Sequence, residues 1–345
     1  MGFLKTLFAW VFVLAFIAAA ALVAGWVWLN NEMTRPGPLE DEIVFMVSEG
    51  DTLTAVASRL EEEGVIKDGR ILLLKNRIDQ EMQGTAEHVK AGEYILDPGI
   101  SMAGVLSILM EGRSILHRIT LPEGRTTAQL LRIIEADETL VGEMPEVLPE
   151  EGTLLPDTYL FHRGMTRQQL IEKMQKAQAD VLAELWPQRA EDVPLKTPYE
   201  AVILASIVEK ETGNAGERDK VAGLFTTRLK KGMRLQSDPT IIYGISQGEP
   251  LYNSKGQRRT LLRSEIDRHT EWNTYQIDGL PKTPICNPGR EAIAAVLNPP
   301  ETEYLFFVAD GKGGHLFAKT LAEHNRNVAA YRAYERSEIE RERSN

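Results

Sequence analysis

TPYEAVILASIVEKETG (Thr197–Gly213) decides how this chain is to be read. An apolar run of core character ends in two glutamates separated by one lysine, and both ends of the segment are marked. Thr197 stands at an N-cap, Pro198 at the first helical position and Glu200 three residues after the cap, the pattern of a capping box. Gly213 is the expected stop. With the helix fixed between these ends, at about 100° per residue Glu211 lies roughly 20° from Leu204, close to the stripe of Ala201, Leu204, Ile207 and Val208. Glu209 lies about 140° from Leu204 and is expected toward solvent or in an ion pair. Burial and the negative end of the helix dipole would both raise the pKa of Glu211. Two roles fit such a group: an acid held protonated near neutral pH, or the partner of a buried arginine such as Arg218 or Arg228. Residues two apart on one helix point away from each other, so the two glutamates are not the facing pair of a two-carboxylate glycosidase.

The segments after this helix add polar groups in quick order. Asn214 and Glu217 have capping-box spacing at the head of a second helix, which turns Val221, Leu224 and Phe225 inward and stops at Gly232. MRLQSDPTIIYG (Met233–Gly244) then brings Gln236, Asp238 and Tyr243 near the chain reversal, where such groups serve either as turn and cap residues or as the lining of a cleft for a hydroxyl-rich ligand. Helices are expected at about 166–185, 198–212 and 215–231, and a late strand at EYLFFVAD (Glu303–Asp310).

Upstream, Thr6–Leu29 is an uncharged run of about 24 residues, long enough to cross a bilayer with some tilt. Its length and the interfacial Trp26 and Trp28 favour an uncleaved anchor over a signal peptide. Lys5 before the span and Glu32 after it favour a cytoplasmic N-terminus with the bulk of the chain outside. MTRPGPLEDE (Met33–Glu42) reads as a solvated linker. EIVFMV, a turn, a helix with Leu53, Val56, Ala57 and Leu60 at helical spacing, a second helix around 69–77 and the strand GEYIL (Gly92–Leu96) make a small β-α-α-β unit, with Gly64 ending its first helix. Its entry V-x-x-G-D-T-L and element order resemble a LysM-like glycan-binding module; a subdomain that only orients the rest fits the same residues. The proline- and acid-rich stretch Glu143–Gly164 marks the crossing into the second half.

The fold class is therefore α+β: one transmembrane helix, a small LysM-like α/β subdomain and a mainly helical domain with a few strands. The expected parts are 1–32 (cytoplasmic N-terminus and anchor), 33–42 (linker), 43–142 (LysM-like and connecting subdomain) and 143–345 (the mainly helical domain, which the resemblance given below makes the catalytic one).

Composition excludes several classes. The net charge of −11 lies wholly beyond residue 32, because Lys5 and Glu32 cancel before it, and it opposes nucleic acid and anionic lipid. Cys286 is the sole cysteine, so an intrachain disulfide and a thiolate metal cluster are impossible. No metal or cofactor is expected. His315 and His324 lack an H-E-x-x-H frame, DGKGGH (Asp310–His315) lacks the Lys-Ser/Thr ending of a phosphate loop, and no G-x-S-x-G elbow occurs.

LASIVEKETG, ERDKVAGLFTTRLKKGMRLQSDPTIIYG, WNTYQIDGLP, NPGREAI and YLFFVADGKGGHLFAKTLAEHN together resemble the YceG-like family of endolytic murein transglycosylases, over nearly the whole chain. The resemblance implies an inner-membrane lyase, its working domain in the periplasm, that cuts nascent peptidoglycan strands between MurNAc and GlcNAc within their length. It would leave a 1,6-anhydroMurNAc end, so terminating elongation, and would engage peptidoglycan synthases. It places the catalytic acid at Glu211, and Gln236, Asp238, Tyr243, Asn273 and Tyr275 in the family's motifs as cleft residues. Trp272 stands where tyrosine is common and Lys282-Thr283 where Pro-Gly is usual, so local loop shape is expected to differ. The rival reading is a non-catalytic, membrane-anchored peptidoglycan-binding scaffold.

Overall fold

The computed structural model describes residues 2–83 and 88–344. Two compact units divide it: one holds the chain up to Arg118 with Thr139–Val141 and Leu160–Met165, the other Ile119–Glu138, Gly142–Tyr159 and the chain from Thr166 onward. The boundary expected at 142–143 therefore falls late, because the helix after residue 126 belongs with the second unit.

The first unit begins with α1 (Gly2–Thr34), an apolar helix whose membrane-length stretch is unburied, as suits a single-pass anchor. Then follow β1 (Ile43–Val47), α2 (Leu53–Glu62), α3 (Gly69–Gln83), β2 (Gly92–Leu96) and α4 (Met102–Glu111). Strands β1 and β2 pair antiparallel, with Phe45 opposite Tyr94. Thr52 caps α2 by accepting from Ala55 N, and the helix buries Val56, Ala57 and Leu60 at the expected spacing. Helix α3 runs on past the expected end at Arg77.

The segment read as a solvated linker is not free. Helix α1 continues to Thr34, Leu29 and Met33 are only 3% exposed, and Met33 joins the core with Phe45 and Leu60. Gly37 N donates to Gly99 O and Ile100 O, and a Cβ there would lie 2.3 Å from Ile100 O, so the prolines flank a close backbone contact. Burying Leu29 and Met33 contributes about 1.5–3 kcal/mol each, which seats the β-α-α-β unit on the end of the apolar helix.

The second unit takes in α5 (Thr127–Glu135), α6 (Arg167–Leu185), α7 (Pro198–Glu211), α8 (Arg218–Lys230), α9 (Asp238–Ser246), α10 (Arg263–Ile266), α11 (Arg290–Leu297), the hairpin β5 (Phe306–Ala309) and β6 (His315–Ala318), and α12 (Leu321–Ser344). The chain passes between the units along β3 (His117–Thr120) and β4 (Thr158–Phe161). Helix α7 is the centre of the core: all residues from Ala201 to Val208 are buried, with α8, α9 and α11 packed around them. The expected single late strand is a hairpin. Its glycine-rich turn is held by Asp310 Oδ1, which accepts from Lys312 N and Gly314 N.

Candidate active site

Helix α7 starts as its residues dictate: Thr197 accepts from Glu200 N, and Pro198 fills the first position. The return bond of the capping box is displaced by one residue, since the Glu200 carboxylate accepts from Lys196 N instead. The far end differs from expectation. Gly213 does not supply the stop; Thr212 does, in extended geometry, with its hydroxyl accepting from Asn214 N. Asn214 opens a short 3-10 turn over Ala215–Glu217 before α8 begins, so it does not cap α8 directly. Glu211 is thus the last helical residue, held between a buried helix and a locked turn.

The carboxyl of Glu211 is partly buried and takes one hydrogen bond, from Ser237 Oγ to Oε1 at 2.5 Å. Among the described residues Oε2 has no protein partner, and no arginine stands within ion-pairing reach. Arg228 instead donates to Leu305 O, Arg234 O and Leu235 O, while Arg218 faces Glu123 and Glu209. The arginine-partner reading of Glu211 is therefore set aside. Burial pushes its pKa from 4.5 up to about 7; the Ser237 hydrogen bond and the Arg228 charge oppose the rise, and the Asp238 carboxylate adds to it. Such a group exchanges a proton near neutral pH.

Ser237 is fully buried and fixed by a small network. Its N–H donates to Thr274 Oγ1, its carbonyl accepts from Thr240 Oγ1, and the two threonine hydroxyls meet at 2.9 Å. The residue before it, Gln236, is exposed and holds a φ of 52°, which a side chain-bearing residue adopts at a cost. Two bonds from the backbone N–H groups of the turn hold this geometry, from Gln236 N to Thr274 O and from Ser237 N to the Thr274 side chain at Oγ1. Arg228 grips the preceding carbonyls. Ser237, Thr240 and Thr274 carried no sequence expectation, although SDPT and NTY contain them.

The other expected cleft residues have different surroundings. Asp238 is exposed, and its Oδ1 accepts from Tyr275 OH at 2.8 Å. Asn273 is fully buried: its amide donates to Ile266 O and Arg268 O, and its Oδ1 accepts from Tyr275 N, so it holds the loop that presents Tyr275. Tyr243 is 5% exposed, and its hydroxyl donates to Glu151 Oε2 at 3.2 Å. Asp238 and Tyr243 both line a cavity of about 400 Å³.

Of the two expectations for Glu209, the ion pair holds and the solvent-facing position does not: its side chain is 7% exposed, with Arg218 Nη2 4.0 Å away, and it accepts from Gly289 N at 3.1 Å. The phase argument assumed one solvent-facing side, whereas α7 is packed all round. A further buried carboxylate escaped sequence reading altogether. Glu151 Oε1 accepts from Thr127 N, Thr127 Oγ1 and Asn287 Nδ2. The adjacent Gly152 has a φ of 82°, and a Cβ there would lie 2.6 Å from Pro284, so this turn admits no side chain. His315 is bound to Glu217 at 2.8 Å, and His324 stacks on Phe306. The two sequence departures prove to be coupled: Trp272 Nε1 donates to Thr283 Oγ1 at 2.9 Å, and Lys282 pairs with Glu271.

Residues 45–330 match the model of the YceG-like family. The chain is 27% identical over 315 residues to the endolytic murein transglycosylase of Bacillus subtilis (strain 168), covering 83% of each. To the endolytic murein transglycosylase of Streptococcus pneumoniae (strain ATCC BAA-255 / R6) it is 29% identical over 331 residues, 83% of this chain but 57% of that longer one. The crystal structure of a yceG-like protein from Listeria monocytogenes is 26% identical and superposes with a TM-score of 0.47, covering 83% of this chain and 99% of that one. With most of its length matched by the family model, the chain belongs to the YceG-like family.

Proposed function

We propose that this protein is an endolytic murein transglycosylase, a lyase that cuts peptidoglycan strands within their length with Glu211 as its acid and base. The observation that carries the assignment of the residue is the Glu211 carboxyl itself: pKa about 7, one oxygen held by Ser237, the other without a protein partner. The similarity to proteins named endolytic murein transglycosylases supports the reaction.

In this reaction protonated Glu211 gives its proton to the glycosidic oxygen between MurNAc and GlcNAc, and the C1–O bond breaks. The carboxylate left behind takes the proton of the MurNAc C6 hydroxyl as that oxygen closes on C1. Proton count balances, no water is consumed, and the products are a free GlcNAc 4-hydroxyl and a 1,6-anhydroMurNAc end. One carboxyl whose pKa lies near the working pH suffices for both transfers. Ser237 steadies Oε1 in both protonation states, as its hydroxyl can donate to a carboxyl or a carboxylate.

The finer reading assigns α1 as an inner-membrane anchor with a cytoplasmic N-terminus, the β-α-α-β unit as a LysM-like glycan-binding module, and the second unit as the periplasmic catalytic domain. Gln236, Asp238, Tyr243 and Tyr275 would meet the glycan, Asn273 would hold the loop of Tyr275, and peptidoglycan synthases would be the partners. Antiparallel β1 and β2 flanking two helices support the module, and the apolar stretch of α1 supports the anchor.

Mass spectrometry of strands treated with purified protein tests the reaction, since hydrolytic ends exceed anhydro ends by one water. Anhydro-ended fragments are expected from the wild type, and Glu211→Gln should release them roughly 10³-fold more slowly. Hydrolytic ends would overturn the lyase reading, and full activity of Glu211→Gln would overturn the residue assignment. A wild type that binds strands without cutting them would establish the scaffold.

A further inference from the structure

The cavity bordered by Asp238 and Tyr243 continues into a larger one of about 770 Å³, and Lys210, Gly248, Glu249, Pro250 and Arg258 line both. The larger part is bordered by four cations, Arg125, Arg132, Lys210 and Arg258, against two carboxylates, Asp137 and Glu249. This is a basic groove on a chain of net charge −11. Arg132 is paired with Glu249, and Lys210 Nζ donates to Gly124 O at 3.2 Å. Among the described residues, the Arg125 and Arg258 guanidinium groups have no carboxylate within ion-pairing distance, and both side chains are exposed. The groove is tied to the reacting carboxyl through two of its lining residues. Asp238 on its edge is close enough to raise the Glu211 pKa, and Lys210 is the residue preceding Glu211.

A neutral sugar chain needs no cations, but the stem peptides carried by MurNAc end in and contain carboxylates. We infer that this groove is a subsite for the carboxylates of the stem peptide, with Arg125 and Arg258 as its anchors, so that the enzyme acts on peptide-bearing rather than stripped glycan. The inference rests on the transglycosylase reading above. Guanidinium groups bind carboxylates through paired, charge-assisted hydrogen bonds, which suits a flexible peptide that must be fixed before the glycan is cut.

The test compares full-length protein in detergent with three strands: uncrosslinked glycan carrying stem peptides, the same glycan stripped by an amidase, and strands still joined to their lipid pyrophosphate. The wild type should prefer peptide-bearing over stripped strands in kcat/KM. In the Arg125→Ala, Arg258→Ala double variant that preference should fall about tenfold, mainly through KM, as expected for losing one or two charge-assisted contacts. The wild-type preference should also shrink as salt is raised. An unchanged preference in the variant, or an equal loss on both strands, overturns the subsite. A loss confined to lipid-linked strands overturns it in favour of the pyrophosphate. If the wild type releases no anhydro-ended product from any strand, the transglycosylase reading falls and this one with it; the other outcomes leave that reading standing.

Discussion

Glu211 and Glu151 are two partly buried carboxyls of one unit, and what differs between them is the number of hydrogen-bond donors. Glu151 accepts three bonds at Oε1 and one from Tyr243 at Oε2, so both its oxygens are used. Glu211 accepts one. Desolvation raises both pKa values, but the bonds to Glu151 oppose the rise and tie together α5, the Gly152 turn and the Asn287 loop. Burial alone therefore does not mark a reacting acid. A buried carboxyl saturated with donors is structural, and one left with a free oxygen can hand a proton on.

The largest effect expected from breaking this contrast is at Glu151. Glu151→Ala would leave Thr127 N and Tyr243 OH without the carboxylate that accepts from them, and Thr127 Oγ1 and Asn287 Nδ2 with only their weaker second acceptors. A loss of about 3–4 kcal/mol in unfolding free energy is expected from urea denaturation. A loss under 1 kcal/mol would mean that the saturated carboxyl does not hold the turn. At Glu211 the opposite sign is expected. Its folded pKa is raised, so the folded state holds the proton more tightly; the fold loses stability as pH climbs from about 4.5 through about 7. Below that window both states are protonated. Glu211→Gln stays neutral, so it should be more stable than wild type by about 2 kcal/mol at pH 8.5 and equal to it at pH 4, given that partial exposure softens the full shift. Equal stability at both pH values would contradict a raised pKa.

Much of this was legible in the sequence because it rests on local rules. The capped start of α7, the β-α-α-β order and the length of the apolar helix follow from caps, periodicity and composition. Glu211 was placed on the packed side and Glu209 was allowed an ion pair, which it makes with Arg218, but its burial was missed, because helical phase locates one apolar stripe and α7 is enclosed on every side from Ala201 to Val208. The linker was read only in part for a related reason: Pro36, Pro38, Glu40, Asp41 and Glu42 are exposed as their composition implies, yet the backbone of Gly37 is pinned by residues 99 and 100. Glu151 pairs with Thr127 and Asn287, far away in sequence, and a carboxylate gives no local sign of such partners. Trp272 and Thr283 show the same limit, as two separate departures in sequence become one donor and its acceptor in space.

Ser237 offers the finest adjustment of the contrast, since it is the single donor that distinguishes Glu211 from an unpartnered carboxyl. Its hydrogen bond lowers the Glu211 pKa against the rise due to burial. Ser237→Ala should therefore raise that pKa above about 7 and carry the high-pH limb of kcat upward with it, because the protonated acid persists to higher pH. At the optimum, kcat should fall about tenfold as Oε1 loses the contact that orients the carboxyl. Ser237→Thr keeps a hydroxyl, and should restore the limb to its wild-type position even if crowding beside Thr274 leaves the rate reduced. A loop-shape role alone would lower the rate without moving the limb. The position of that limb, more than the rate, therefore separates a donor that tunes the acid from a buried serine that only fills the turn.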